Sequence, residues 1–163
     1  MRQGPLAAAL VAAAISALAV AVVVNAGSGS TSAKAKDSLF AALAGKNEIG
    51  SDGKKGAGDR DGRGSFSATV DGGEICFGLV VKSIMKPVAA HIHKGTAAKA
   101  GPVVIPLTAP DSGDPGTAAG CVTPEDSGLL RSILKNPARY YVNVHTADFP
   151  GGAVRGQLFA KSP

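Results

Sequence analysis

The chain reads Ala89-Ala90-His91-Ile92-His93-Lys94-Gly95 in one segment and Tyr140-Tyr141-Val142-Asn143-Val144-His145-Thr146 in another, and these segments contain all three of its histidines. Both segments have the composition and alternation of β-strands. Side chains of a strand alternate between its two faces at about 3.3 Å per residue, so His91 and His93 project to the same side, about 6.6 Å apart along the backbone. If the strand carrying His145 lies beside or across from the strand carrying the other two, the third imidazole joins them from the same direction.

A cluster of three imidazoles supports two interpretations. If the rings reach one point, a neutral three-histidine site suits copper or zinc, and its open coordination position would permit redox or Lewis-acid chemistry. Alternatively, the histidines are structural and hold the loops around the two strands through hydrogen bonds. The spacing leaves both interpretations open and indicates no substrate.

Other polar residues are candidates for a supporting role. Arg155 is a candidate for binding an anion or for supporting the histidines, although it could also pair with Asp148 across the last hairpin. Glu48 is a candidate buried carboxylate, paired with a loop amide or with Arg155. Tyr140 and Tyr141 are adjacent in a strand, so we expect one in the core and the other exposed. Serine-nucleophile and phosphate-loop motifs are absent from the sequence.

Composition and charge limit the classes of function. The 22 glycines, 10 prolines and absence of tryptophan indicate many turns rather than long helices. The net charge of +5 is spread along the chain without a dense basic run, so we expect no nucleic-acid binding. This charge supports at most a mild attraction to an anionic cell wall or membrane surface.

The two cysteines, Cys76 and Cys121, fit a single disulfide formed in an oxidising compartment. Two free buried thiols or half of a metal site are the alternatives. A disulfide closing a loop of about 45 residues would contribute roughly 4 kcal/mol on the chain-entropy model.

The N-terminus predicts export. Arg2 and the apolar run from Leu6 to Val24 have the pattern of a signal peptide over residues 1–26, with a small-residue cleavage site before Gly27. An uncleaved membrane anchor through residues 6–24 is the competing interpretation. Residues 27–37 are expected to form a flexible spacer and residues 38–160 the domain. With either interpretation the domain is secreted or held at the cell surface.

About eight short strands are expected, with one helix among them. The seven strands with predicted limits cover residues 38–44, 65–70, 74–82, 88–93, 102–107, 139–146 and 153–159, and the first is placed at a sheet edge. Residues 109–120 are expected to form a long loop. The helix is expected to begin with Thr123 as its cap and to stop before Asn136. This pattern predicts an all-β fold, an antiparallel β-sandwich or Greek-key barrel with one inserted short helix.

The histidine strands, the cysteines and the last hairpin resemble the chordin-type (CHRD) domain, in particular its exported bacterial single-domain members. The resemblance covers residues 39 to 159. It rests on segments 43–49, 58–64, 74–77, 90–95, 101–104, 120–122, 136–137, 140–145 and 149–158. It implies an all-β fold and no specific activity. The chain has one copy of the domain and lacks cysteine-rich growth-factor-binding modules, so the antagonist role of the animal proteins does not transfer.

The histidine pattern also resembles the copper site of copper-zinc superoxide dismutases, which are β-sandwiches with a His-x-His strand. That likeness implies a superoxide-dismutase-like fold, with His91, His93 and His145 as copper ligands and Arg155 near an anion pocket. The sequence departs from the dismutases by lacking a histidine-rich zinc loop and a fourth histidine, so at most a three-ligand copper centre remains.

Two functions are therefore carried forward. The preferred one is a non-enzymatic extracellular module that binds a protein, a cell-wall polymer or a metal ion at the cell surface. The alternative is a copper-dependent oxidoreductase of the dismutase type. Membrane association is expected only if the leader is retained.

Overall fold

A computed structural model of the chain describes residues 37–161. The predicted signal peptide or anchor, and all of the predicted spacer except Asp37, lie outside the described residues. Within residues 37–161, no helix has the length and apolar character needed to cross a membrane.

The described residues form nine β-strands and one α-helix. The strands are β1 (Asp37–Ala44), β2 (Arg63–Asp71), β3 (Glu74–Lys82), β4 (Pro87–Lys94), β5 (Val103–Leu107), β6 (Gly116–Val122), β7 (Tyr140–Thr146), β8 (Val154–Gln157) and β9 (Phe159–Lys161). The helix, α1, spans Leu129–Lys135, and short 3-10 turns cover Gly45–Asn47 and Pro137–Arg139.

The strands build one antiparallel sheet in the order β5-β4-β7-β8-β1-β2-β3-β6, with β9 paired to β1. The strands at the two ends of this order, β5 and β6, approach each other, so the sheet is curled into a nearly closed barrel. The predicted fold class is confirmed. The order also places β4, β7 and β8 side by side, which brings the two histidine strands together.

Alternation of apolar and polar residues explains which face of each strand lies inside. In β2, Phe66, Ala68 and Val70 are buried, whereas the residues between them are exposed. Strand β3 repeats this pattern from Ile75 to Val81. A period of two is what a half-buried strand requires, since successive side chains point to opposite faces. Leu130 and Ile133 of α1 are buried in the same core.

Strand β7 departs from this rule. All of its residues except His145 are buried, so both of its faces are covered. Its inward face carries Tyr140, Val142 and Val144, which belong to the hydrophobic core. Its outward face is polar and lies beneath loops, and this second buried layer contains the candidate site.

Three element predictions were wrong. Strand β1 is central rather than at an edge, because it pairs with β2 on one side and with β8 and β9 on the other. The predicted loop 109–120 ends early, since β6 begins at Gly116 and pairs with β3. The expected last strand is divided at Leu158, whose N–H donates to Tyr140 O at 2.9 Å while Phe159 pairs with Phe40 of β1.

The helix also begins later than its sequence predicts. It starts at Leu129, with Gly128 rather than Thr123 in the capping position. A turn precedes it, in which Asp126 Oδ1 accepts a hydrogen bond from Gly128 N at 2.8 Å and Asp126 O accepts one from Leu129 N at 3.0 Å. This local side-chain bond competes with the helix, as short polar side chains commonly do.

Candidate metal centre

The outward face of three neighbouring strands carries a group of polar and aromatic side chains, which we call the polar face. Alternation along each strand puts them on the side opposite the hydrophobic core. The polar face consists of His91 and His93 of β4, Tyr141, Asn143 and His145 of β7, and Arg155 and Gln157 of β8.

The strand register fixes how these side chains meet. His91 lies opposite Asn143, and His93 lies opposite Tyr141. His145 lies opposite Ala89, which places it diagonally from His91. Diagonal neighbours on one face of an antiparallel pair are within reach of long or aromatic side chains. The register alone therefore brings the third imidazole toward the first two.

The three imidazoles form a compact cluster. Nδ1 of His91 lies 3.3 Å from Nε2 of His145. Each ring can offer one nitrogen such that all three nitrogens lie within 4.8 Å of one another. Nitrogens that share one ion at 2.0 to 2.1 Å are about 3.4 Å apart in tetrahedral geometry, so the widest pair would close by at most about 1.5 Å. Small side-chain rotations can supply this movement.

Backbone carbonyls fix the orientation of two of the rings. His93 Nδ1 lies 2.9 Å from Gly101 O, and His145 Nδ1 lies 3.0 Å from Pro150 O. A carbonyl oxygen only accepts, so both Nδ1 atoms carry the proton and both Nε2 atoms of the neutral rings keep a lone pair. This is the arrangement found at metal-ligating histidines, whose other nitrogen donates to a carbonyl or carboxylate. The same bonds tie the loops at Gly101 and Pro150 to the sheet.

The free nitrogens differ in their surroundings. His93 is 8% exposed, and its Nε2 is buried with no hydrogen-bond partner. Buried polar atoms without a partner are uncommon in folded proteins. His145 Nε2 can only accept, so in the neutral cluster it accepts the Nδ1 proton of His91. If a metal ion were bound through these same two atoms, it would replace that hydrogen bond, and the proton of the neutral His91 ring would reside on Nε2 instead of Nδ1.

Burial favours the neutral form of His91 and His93. It lowers the pKa of His91, and the charges of His145 and His93 lower it further. Burial also lowers the pKa of His93, against the opposing effect of its bond to Gly101. Histidine must be neutral to bind a metal ion, so both groups remain competent ligands below the pH at which a free histidine protonates.

The aromatic ring of Tyr141 packs against the ring of His93. The rings of His93 and Tyr141 are stacked, with centroids 4.8 Å apart and an interplanar angle of 9°. The hydroxyl of Tyr141 accepts a hydrogen bond from Gly101 N at 3.2 Å, so both rings contact the same loop residue. Tyr140 and Tyr141 are both buried, at 5% and 1% exposure, so the expectation that one tyrosine is exposed was wrong. Alternation along β7 puts Tyr141 and His145 on the same face of the strand. This pattern was the sequence signal that could have assigned Tyr141 to the site.

Arg155 lies on the other side of this tyrosine. Its Cζ is 3.4 Å from the centroid of the Tyr141 ring, within the range of a cation–π contact. Its Nη2 donates to Thr96 O at 2.6 Å and to Lys99 O at 3.1 Å. The residue is 1% exposed. This placement fits the supporting role expected for Arg155 better than the binding of an anion.

Glu48 is the acidic partner of Arg155, rather than Asp148. Its Oε1 lies 3.9 Å from Arg155 Nη1 and accepts a hydrogen bond from Ile49 N at 3.1 Å. Burial raises the pKa of Glu48, while the Ile49 bond, the charge of Arg155 and the Asn143 side chain act in the opposite direction. Both side chains are removed from water, so this pair is screened less than a surface salt bridge.

The cysteines lie on other strands and are not available as ligands. Cys76 of β3 and Cys121 of β6 are directly paired in the sheet and form the predicted disulfide. Glu74 lies close to both sulfur atoms, so these three residues also resemble a ligand group. Sulfur atoms bonded to each other supply no thiolate, and this group is therefore not a metal site.

Comparison with known proteins supports the resemblance seen in the sequence. No curated protein and no solved structure gives a significant match to the chain. The family model described as the CHRD domain matches residues 39–158, which include all strands from β2 to β8 and the whole polar face. The chain belongs to the CHRD domain family.

Proposed function

We propose that this CHRD-domain protein is an exported, non-enzymatic binding module that holds one copper ion, or another transition-metal ion, at His91, His93 and His145. The observation that carries the proposal is the convergence of three imidazole nitrogens within 4.8 Å of one another. The carbonyl bonds of His93 and His145 support it, because they leave both Nε2 atoms as acceptors.

The donor set favours borderline transition metals. Imidazole nitrogen suits copper and zinc, whereas calcium and magnesium prefer oxygen ligands. His91 and His145 are only partly buried, so the site is accessible from solvent on their side. A further coordination position there could be filled by water or by a side chain of an extracellular partner. The proposed partners are an extracellular protein or a cell-wall polymer.

The proposed location rests on two features. The Cys76–Cys121 disulfide fits an oxidising compartment outside the cytosol. The leader over residues 1–26 has the pattern of an export signal. Mass spectrometry of the native N-terminus tests this: a chain beginning at Gly27 supports secretion. A chain that retains residues 6–24 and sediments with membranes would instead support an anchor.

Metal analysis tests the proposed site. The protein is purified without a histidine tag, loaded with copper or zinc, dialysed and analysed for bound metal. We expect one equivalent per chain, and an affinity loss of at least about 100-fold in each of His91→Ala, His93→Ala and His145→Ala, since loss of an outer-shell partner alone costs 10- to 100-fold. Lys94→Ala, at an exposed position of the same strand, is the matched control and should retain the wild-type affinity.

Absence of stoichiometric metal from the wild type would overturn the proposed site. So would equal affinity in the wild type and a variant that lacks all three histidines. The three histidines would then have only a structural role, through their hydrogen bonds.

A copper-dependent oxidoreductase of the dismutase type is the second candidate. The observation that favours it is the partial exposure of His91 and His145, which gives a small substrate access to the cluster. A bound copper ion would supply one-electron redox chemistry. The discriminating assay measures superoxide dismutation by protein carrying one equivalent of copper. A rate no higher than that of the same chain with His93→Ala would remove this candidate.

A further inference from the structure

Three neighbouring strands each contribute one group to a continuous stack behind the histidine cluster. His93 belongs to β4, Tyr141 to β7 and Arg155 to β8, and β7 lies between the other two strands in the sheet. The Tyr141 ring therefore separates the imidazole from the guanidinium. The distances of 4.8 Å and 3.4 Å place Arg155 Cζ within about 8 Å of the His93 ring centroid.

The charge at the end of this stack is held in a fixed position with little screening. Arg155 is 1% exposed, and its Nη2 is anchored by the carbonyl groups of Thr96 and Lys99. A guanidinium stays protonated in proteins. The carboxylate of Glu48 is its acidic partner at 3.9 Å, a longer distance than in a direct hydrogen bond. Burial raises the pKa of Glu48 against the opposing effects of the Ile49 hydrogen bond and the charge of Arg155, so Glu48 offsets only part of the guanidinium charge.

The candidate ligands bring no compensating negative charge. All three are imidazoles, and among the described residues no carboxylate or thiolate belongs to their cluster. A divalent ion bound there keeps its full charge of +2, whereas Cu(I) keeps +1. Repulsion by a fixed cation is twice as large for the divalent ion, since Coulomb energy is proportional to charge.

We propose that this site selects monovalent copper over divalent ions, and that Arg155, stacked on Tyr141 behind His93, is the positioning residue that sets this preference. The inference rests on the proposed metal site and specifies its ligand as Cu(I). Three imidazoles are sufficient for Cu(I), because low coordination numbers suit it. The stack also fixes the plane of the His93 ring, whose Nε2 is buried without a partner.

The size of the preference follows from the distance. One additional unit of ionic charge about 8 to 10 Å from the guanidinium, at an effective dielectric constant of about 20, corresponds to a roughly 15- to 35-fold change in affinity. Removing the charge should therefore lower the ratio of Cu(I) to Cu(II) affinity by about tenfold or more. For a one-electron couple, a tenfold change lowers the reduction potential of the bound copper by about 59 mV.

The experiment compares wild type, Arg155→Gln and Arg155→Lys. Glutamine can still donate to the loop carbonyls but is neutral, whereas lysine retains the charge. Affinities for Cu(I) and Cu(II) are measured by competition with chromophoric chelators, and the potential of the bound couple is measured by voltammetry. We expect Arg155→Gln to lower the potential by about 59 mV or more, and Arg155→Lys to retain most of the wild-type value. Thermal melting of the metal-free proteins shows whether each variant is folded.

Wild-type protein provides a test that needs no variant. If Cu(I) binds more tightly than Cu(II), the potential of the bound couple lies above that of aqueous copper. A value below that of aqueous copper would overturn the inference. An unchanged potential in a folded, copper-loaded Arg155→Gln protein would overturn it as well, while leaving the metal site intact. If neither copper ion binds to the wild type, the proposed function fails and the inference fails with it.

Discussion

Adding one methyl group at Gly152 should destabilise the domain, whereas adding one at Gly151 should not. Gly152 has a φ of +137°, a backbone conformation that residues other than glycine rarely adopt. A Cβ atom there would also contact Glu48 Oε2 and lie 2.5 Å from Asn143 Oδ1 and 2.6 Å from Asn143 Nδ2. At Gly151 a Cβ atom would have no neighbour within 4 Å.

The magnitude can be worked from these two effects. A strained backbone conformation costs about 1 to 3 kcal/mol. Overpacking of a filled site costs about 1 to 3 kcal/mol, and here the displaced groups belong to the buried Glu48 and Asn143. Gly152→Ala should thus lower the free energy of unfolding by about 2 to 6 kcal/mol, a large part of the roughly 5 to 15 kcal/mol available to a domain. Gly151→Ala should change it by no more than about 0.5 kcal/mol.

Urea denaturation of both variants, followed by circular dichroism, measures the difference. The same loop supplies Pro150 O to His145, so Gly152→Ala should also weaken the proposed binding of a metal ion. A midpoint for Gly152→Ala equal to that of Gly151→Ala would refute the reasoning, because the two glycines are adjacent and differ in the features that the argument uses.

Three further predictions concern the disulfide, the histidines and the core. Replacing both Cys76 and Cys121 by serine opens a loop with a sequence separation of 45 and should cost about 4 kcal/mol in urea denaturation. The lowered pKa values of His91 and His93 mean that the unfolded chain takes up more protons below its ordinary pKa of 6.5, so metal-free stability should fall as the pH falls from 6.5. Ile92→Ala should cost about 2 to 5 kcal/mol, because Ile92 is fully buried.

Each of these predictions has a control. For the disulfide, reduction of the wild-type protein should reproduce the loss seen in the double serine variant, and equal stability with and without reductant would contradict it. For the histidines, an increase in the stability of the metal-free protein as the pH falls from about 6.5 to about 5.5 would contradict the prediction. For the core, Val88→Ala is the matched control, since Val88 is 62% exposed on the same strand. An equal loss in both variants would contradict the assigned burial.

The sequence predicted the strands in which buried and exposed residues alternate. The predicted limits of β3 are those observed, because the Gly72-Gly73 turn precedes Glu74 and the polar residue Lys82 ends the apolar run. Strand β6 was missed because Gly116-Thr117-Ala118-Ala119-Gly120 has weak strand propensity. Its pairing with β3 determines its conformation, as packing often does for strands of low intrinsic propensity.

The candidate site was predictable in part. That both histidine segments are strands follows from their composition, whereas their pairing and the contacts between the rings depend on a register that no local pattern contains. Arg155 and Glu48 were suspected, but their contact depends on β8 pairing with β1 and on the loop that follows β1. Tyr141 was missed as a support because its burial comes from Gly101 and the adjoining loop, which covers the outward face of the sheet.

The position of β1 has a consequence for how the barrel is completed. Leu39 pairs with Ala160, so the first and last described strands lie next to each other although roughly 120 residues separate them in sequence. Closing so long a loop has a substantial entropic cost, and folds dominated by such distant pairings form slowly. A chain shortened before β8 would leave one side of β1 unpaired and would lack Arg155 beside Tyr141. Assembly of the histidine support is therefore coupled to closure of the barrel, and both depend on the C-terminal segment being present.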